Sequence, residues 1–110
     1  MNRPTRFYSN KQEKAVAKAV KGKQTANSGA TKFSKGDVIT DQILIECKTC
    51  TDYKKSFSIK KEWLDKNKEE AFAMRKPYSA LAFNFGPNEK NYYIIDEKMF
   101  KILLDACCSD

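Results

Sequence analysis

The stretch that decides the fold of this chain is Gly36-Asp37-Val38-Ile39-Thr40-Asp41-Gln42-Ile43-Leu44-Ile45-Glu46-Cys47-Lys48. It predicts two short strands, residues 37–40 and 43–49, joined by a tight turn at residues 41–42. Side chains alternate between the two faces of a strand, so Glu46 and Lys48 share one face. An acid and a lysine on one face of a largely apolar, β-branched strand are costly there unless a function uses them.

Asp37 begins the first of these strands and is expected at the same end of the hairpin as Glu46. Two carboxylates that converge beside Lys48 predict a site for a hard cation, with a neighbouring group that activates or steers a water. The alternative left open by this pattern is a solvated ladder of surface ion pairs on an exposed sheet face.

Asp37, followed nine residues later by Glu46-Cys47-Lys48, resembles the signature of the PD-(D/E)xK nuclease superfamily: an aspartate, a short hairpin, then Glu-x-Lys. Gly36 stands where that family often has proline. The resemblance implies a restriction-endonuclease-like core and a Mg²⁺-dependent endodeoxyribonuclease, with Mn²⁺ able to substitute, that leaves a 5′-phosphate and a 3′-hydroxyl. It implies that Asp37, Glu46 and the Cys47 backbone carbonyl hold the metal. Lys48 would orient the attacking water or stabilise the developing charge.

A capping-box pattern, Ser9 with Gln12 three residues later, predicts a first helix that ends near Lys21, before Gly22. Glu13 lies on the apolar, inward stripe of this helix. In PD-(D/E)xK nucleases a glutamate of the first helix often completes the metal site, so the resemblance adds Glu13 to the catalytic and metal-binding residues. The alternative is a glutamate that the helix dipole favours near the N-terminus.

Lysines and hydroxyl residues cluster at two places suited to a phosphate backbone. The first is the loop at residues 22–36, whose Ser28-Gly29 pair is similar to the same loop in archaeal and phage-type Holliday-junction resolvases. The second is the start of a helix predicted from residue 60, where a phosphate would use the free amides. The expected DNA contacts are Lys23, Ser28, Lys32, Ser34, Lys35, Lys60 and Lys61. The alternatives are a flexible connector and a solvated helix start.

The remaining predicted elements are a strand at residues 56–59, a helix from 60 to about 75, strands at 78–85 and 91–95, and a helix at about 97–106. Ser58 and Asp96 are expected to cap the two helices. Their apolar faces are expected to contain Trp63, Leu64, Ala71 and Phe72 in the first helix and Phe100, Leu103 and Leu104 in the second.

The whole order, α-β-β-β-α-β-β-α, predicts an α/β (α+β) fold with a mixed central sheet of about five strands flanked by helices. Residues 1–110 are expected to form a single nuclease-like domain. Within it, residues 1–8 are either a basic arm that contacts DNA or a frayed terminus.

The net charge of +7 on 110 residues favours a polyanionic partner, nucleic acid first. The absence of histidine from the sequence excludes HNH and histidine-metal nucleases, Ser-His-Asp triads and Cys-His pairs. There is no apolar run of membrane-span length and no signal-peptide pattern, so we expect a cytoplasmic protein without a membrane partner. Cys47 and Cys50 have zinc-ligand spacing, but the adjacent Cys107-Cys108 is a poor second pair, which leaves a zinc adaptor as a minor alternative.

The resemblance and symmetry together favour a Holliday-junction resolvase acting as a homodimer on branched DNA, since paired nicks across a four-way junction need two active sites. The candidate dimer surface is either the C-terminal helix or the helix at residues 59–75. The alternatives are a nicking or restriction-like endonuclease on duplex DNA and a non-catalytic, basic nucleic-acid-binding module.

Overall fold

The computed structural model describes residues 5–25 and 37–108. Its elements are, in chain order, α1 (Thr5–Val20), β1 (Lys23–Gln24), β2 (Asp37–Ile39), β3 (Ile43–Lys48), α2 (Lys61–Ala73), β4 (Tyr78–Phe83), β5 (Tyr92–Ile94) and α3 (Glu97–Cys108). The strands form one sheet in the order β1-β2-β3-β4-β5, in which β3 and β4 are parallel and the other pairs antiparallel. The predicted α+β class, the mixed five-stranded sheet and the element order are confirmed. The restriction-endonuclease-like topology stays a prediction.

The β2–β3 hairpin forms where the sequence predicts it. Its register places Asp37 opposite Glu46 and Val38 opposite Ile45. Thr40 closes the turn, because its amide donates to the Ile43 carbonyl at 3.0 Å and its hydroxyl accepts from the Ile43 amide at 3.2 Å. The parallel strand β4 then requires a crossover connection, and α2 lies on that crossover.

The sheet is buried on both faces. On one face, Val16 of α1 forms the core with four sheet residues, Val38, Ile45, Ala80 and Ala82. Strand alternation places Leu44 and Leu81 on the other face, where both are fully buried. The buried side of α2, at Asn67 and Ala71, covers that second face.

Helix α1 starts five residues earlier than predicted, since an N-cap at Ser9 implies a first helical residue at position 10. Ser9 lies inside the helix, which begins at Thr5, so the interpretation of Ser9 as the N-cap is wrong. Residues 5–8 contain neither proline nor glycine, and nothing in them prevents the helix from extending. Residues 5–8 thus belong to α1, whereas residues 1–4 of the proposed basic arm lie outside the described residues.

The end of α1 agrees with the prediction. The Gly22 amide donates to the Ala17 carbonyl at 2.9 Å, just beyond the last helical residue. A Cβ atom at Gly22 would lie 2.5 Å from the Ile39 carbonyl oxygen. Glycine is thus required here for close approach of the helix end to β2.

The strand expected at residues 56–59 is absent, and β1 supplies the additional strand instead. Both edges of β3 are already paired, with β2 and with β4, so no edge beside it is free for the segment that follows. Phe57 from this segment stacks on Phe83, with ring centroids 4.9 Å apart. At the other end of the sheet, β1 pairs with β2, with Gln24 opposite Val38.

Helix α2 differs from its prediction at its cap and on its apolar face. Lys60, not Ser58, occupies the N-cap position, and no side-chain hydrogen bond caps the helix. Phe72 is 85% exposed, so its assignment to the inward face is wrong, whereas Ala71 is buried as expected. The inward stripe contains Asn67, whose amide donates to the Ala80 carbonyl at 2.9 Å.

Helix α3 is capped as predicted, with the Met99 amide donating to Asp96 Oδ1 at 3.0 Å. Its apolar side chains, however, do not pack into the core, and the helix has no buried residue. Across residues 5–25 and 37–108, no helix is long and apolar enough to cross a membrane.

Candidate functional site: an acidic cluster at the β2–β3 hairpin

The hairpin brings together the three residues singled out from the sequence. Asp37 and Glu46 are direct partners in the β2–β3 ladder, and Lys48 follows two residues later on the same face. Opposite residues of an antiparallel pair have Cα atoms about 4.5–5.5 Å apart, so the two acids are close neighbours. Lys48 Nζ lies 2.9 Å from Glu46 Oε2. A hairpin with a two-residue turn is thus sufficient to build this acid–acid–lysine group.

Asp37 is an unusual aspartate. It is only 3% exposed, although it carries a carboxyl group. Burial raises its pKa from 3.8 to about 8, and the negative charges of Glu46, Glu70 and Glu13 act in the same direction, against the opposing effect of Lys48. The site therefore has a deficit of positive charge around a buried acid. The alternative interpretation, a ladder of surface ion pairs, concerned Glu46 and Lys48, which do form an ion pair and whose side chains are 19% and 29% exposed.

Glu13 lies on α1, which packs on the opposite face of the sheet from Glu46 and Lys48, and its charge reaches Asp37 at the start of β2. It is 6% exposed, and Gln24 Nε2 donates to its Oε1 at 3.1 Å. Its charge contributes to the raised pKa of both Asp37 and Cys47. The prediction that Glu13 lies on the inward side of the first helix is confirmed, and its metal-binding role stays a prediction.

The cysteines are free thiols. Burial, followed by the charges of Glu13, Asp37 and Glu46, raises the pKa of the Cys47 thiol, so this side chain stays protonated. It contributes to the packing on the α1 face of the sheet, as its alternation predicts. The role given to its backbone carbonyl stays a prediction.

Two residues of α2 that lie beside the acidic cluster were not predicted as site residues from the sequence. Glu70 is close enough to raise the pKa of Asp37, and burial followed by the charge of Glu46 raises the pKa of Glu70 itself. The Trp63 ring lies against Lys48, whose Nζ is 4.2 Å from its centroid. A signal for both was present, because residues 63, 67 and 70 follow the i, i+4, i+7 spacing of one helix face.

Gln12 connects α1 by hydrogen bonds to the end of the sheet that contains Lys48. It is 4% exposed, and its Nε2 lies 2.9 Å from the Lys48 carbonyl and 3.1 Å from Asn91 Oδ1. The prediction that Gln12 belongs to a capping box is therefore wrong. Because Gln12 precedes Glu13, its bond to the Lys48 backbone fixes the position of α1 where the helix approaches the acidic cluster.

The expected DNA-contacting residues are only partly described. Ser28, Lys32, Ser34 and Lys35 lie outside the described residues, and Lys23 is exposed on β1. Lys60 and Lys61 stand at the start of α2 as predicted. Lys60 Nζ lies 5.9 Å from the centroid of the Trp63 ring, which also contacts Lys48, whereas Lys61 Nζ pairs with Asp65 at 2.8 Å.

The donor set fits a divalent cation in its chemistry. Hard cations such as Mg²⁺ take carboxylate oxygens and are commonly held by one or two carboxylates with several waters. Within residues 5–25 and 37–108, no three acidic, cysteine or histidine side chains already stand in a metal-binding arrangement. The buried, electrostatically unfavourable carboxyl of Asp37 beside Glu46 is what a cation would stabilise.

No family model, curated protein or solved structure matches this chain.

Proposed function

We propose that this chain is a Mg²⁺-dependent endonuclease that hydrolyses phosphodiester bonds in DNA, of the PD-(D/E)xK type that the sequence resembles. The observation that supports it best is the pairing of Asp37 with Glu46 across the hairpin, with Lys48 beside them on the same face. In this arrangement two carboxylates can supply oxygen ligands to a metal ion, and one ammonium group can donate hydrogen bonds to a phosphate.

The distribution of charge supports the same proposal. The chain has a net charge of +7, so its long-range field attracts a polyanion. Nevertheless, Asp37 is influenced by the charges of three glutamates, Glu46, Glu70 and Glu13. A basic protein with one concentrated acidic cluster is suited to a substrate that is anionic and a cofactor that is cationic.

Asp37 and Glu46 would hold the Mg²⁺, with the Cys47 carbonyl and Glu13 as further ligands. When bound, Mg²⁺ lowers the pKa of a coordinated water and neutralises charge on the scissile phosphate. Mn²⁺ has the same ligand preference and would substitute.

Lys48 acts on the substrate in this proposal. Its ammonium group has three donors and faces both Glu46 and the Trp63 ring. It would donate to a phosphate oxygen, where negative charge grows as the new bond forms. Trp63 limits the directions in which the lysine can point, and so positions it.

Branched DNA acted on by a homodimer is the substrate that we propose first. A four-way junction has near two-fold symmetry, and two copies of this chain would cut it at two equivalent positions. Cleavage of linear duplex by the same site is the second possibility, and the experiment separates them.

The test compares a four-way junction with linear duplex of matched sequence, each with Mg²⁺ and with EDTA. The variants are Glu46→Gln, which removes a cluster charge, and Glu69→Gln, which removes an exposed charge of α2 as the matched control. We expect paired nicks in the junction with Mg²⁺, a loss of at least about 100-fold in Glu46→Gln and no change in Glu69→Gln.

Cleavage of both substrates would support the proposal of a nuclease and contradict its preference for junctions. Equal activity in Glu46→Gln would reject the site. If the chain binds DNA without cleaving it, and the binding does not depend on metal, the result would favour a non-catalytic, basic DNA-binding module over a nuclease.

A further inference from the structure

Five aromatic rings form a contiguous cluster, the aromatic strip, at the end of the sheet that contains Lys48. Phe57 stacks on Phe83 and Phe83 on Tyr92, with ring centroids 4.9 Å and 5.8 Å apart. Phe85 meets Tyr92 edge-on at 5.6 Å, and Trp63 lies 6.3 Å from Phe57. None of these five rings is buried, and Tyr92 is 43% exposed. The strip therefore lies at the surface and is not part of the core.

The register of the sheet places the aromatic strip beside the candidate site. Lys48 of β3 pairs with Phe83 of β4, and Phe83 pairs with Tyr92 of β5. Paired residues of neighbouring strands point to the same face, so these three side chains form one row across the sheet. Glu46 lies on that face too, two residues before Lys48. The row thus leads from the acidic cluster to the outer strand.

Tyr53 adds a more exposed ring next to the strip. Its neighbour Lys54 donates its amide to the Phe85 carbonyl at 2.8 Å, which holds this segment against the strip. The Tyr53 ring lies against Gly86, where a Cβ atom would collide with it, so glycine is required for this close approach. The ring is nevertheless 68% exposed. A ring that is held in place and open to solvent can stack on a planar ligand at little entropic cost.

Ammonium groups accompany the exposed rings. Lys60 Nζ lies 5.9 Å from the centroid of Trp63, and Lys90 Nζ lies 5.4 Å from that of Tyr92. Residues 53–61 include four lysines and no acid. An apolar protein partner would have to remove these charges from water, which is unfavourable. A single strand of nucleic acid offers bases to the rings and phosphates to the lysines, so its charge and its shape both complement this surface.

We propose that Tyr53 and the aromatic strip bind unpaired bases of a DNA strand that leads to the acidic cluster. Tyr53 and Tyr92 would stack on bases, and Lys60 and Lys90 would contact the phosphates between them. In a duplex the bases are stacked on one another, so a paired strand does not offer their faces to these rings. This inference rests on the proposed function and narrows its substrate to DNA with unpaired nucleotides beside the scissile phosphate.

The test measures binding of the full chain to two fluorescent oligonucleotides by anisotropy, in EDTA so that no cleavage occurs. One is oligothymidylate of about 12 nucleotides, and the other is an abasic strand of the same length. Both have the same phosphates, and only the first has bases. We expect oligothymidylate to bind at least about tenfold more tightly, since each stacked base adds affinity. Equal affinity for the two strands would mean that phosphate attraction alone is at work, and would overturn the inference.

Variants of the exposed rings locate the effect. Tyr53→Ala should weaken binding of oligothymidylate about fivefold or more and leave binding of the abasic strand unchanged, whereas Tyr53→Phe should retain both. Tyr92→Ala is a second variant with the same expectation as Tyr53→Ala. Phe72→Ala is the matched control, because Phe72 is 85% exposed on α2 and outside the strip. If both tyrosine-to-alanine variants bind oligothymidylate as tightly as Phe72→Ala does, the inference is wrong.

Failure of this inference is distinguishable from failure of the proposed function, because the binding test needs neither Mg²⁺ nor cleavage. A chain that prefers oligothymidylate to the abasic strand but cuts no DNA overturns only the nuclease. A chain that cuts DNA with Mg²⁺ but binds the two strands equally overturns only the role of the aromatic strip.

Discussion

Replacing Asp37 with asparagine should stabilise the metal-free chain, and the gain should grow with pH. The pKa of this carboxyl rises from 3.8 to about 8 on folding, chiefly because it is buried. Between these two pH values the folded chain retains a proton that the unfolded chain has released. The wild-type free energy of unfolding therefore falls as the pH rises through this window, and asparagine removes that dependence.

The magnitude follows from the size of the shift. One pKa unit corresponds to about 1.4 kcal/mol between the two protonation states. Most of the window from 3.8 to about 8 lies above pH 5, so most of the cost appears between pH 5 and pH 9. We expect the gain in stability of Asp37→Asn over wild type to be about 4 kcal/mol larger at pH 9 than at pH 5.

Urea unfolding followed by fluorescence of Trp63, the only tryptophan, measures this difference. Asp41→Asn, at the exposed turn of the same hairpin, is the control and should show no comparable pH-dependent gain. Adding Mg²⁺ at pH 9 should stabilise wild type more than Asp37→Asn, because ligand binding to the folded state adds stability by mass action. A gain that is equal at both pH values, or a variant less stable at pH 9, would refute the reasoning.

Three further outcomes follow from the site and its surroundings. Gln12→Ala should lower the free energy of unfolding by about 1–3 kcal/mol in urea titration, because it removes two part-buried hydrogen bonds, to the Lys48 carbonyl and to Asn91 Oδ1. Lys11→Ala at the exposed neighbouring position should change it little. Lys48→Met should reduce cleavage at least about 100-fold in single-turnover assays while DNA binding changes much less; equal losses in both would contradict its proposed role. Cys107 and Cys108 should react rapidly with a thiol reagent in the native chain, and the other two thiols only after unfolding, since burial raises the pKa of both.

The hairpin was predictable because its determinants are local. Alternation assigns Glu46 and Lys48 to one face, and a two-residue turn fixes the register that brings Asp37 opposite Glu46. The Asp96 cap and the glycine after α1 were predictable for the same reason, since each depends on neighbours within a few residues.

The errors occur where distant parts of the chain decide the outcome. Residues 56–59 have strand composition, but β3 has no free edge beside which they could pair. Gln12 matches a capping box, yet its amide is used by a carbonyl 36 residues away. Glu70 and Trp63 reach the hairpin only because the crossover lays α2 on that face of the sheet, a placement that the periodicity of α2 alone does not specify.

The edges of the sheet have a consequence for how this chain behaves in concentrated solution. The two outer strands are short, with two residues in β1 and three in β5. An edge this short offers few unpaired amides and carbonyls to a passing strand, which discourages runaway growth by strand addition.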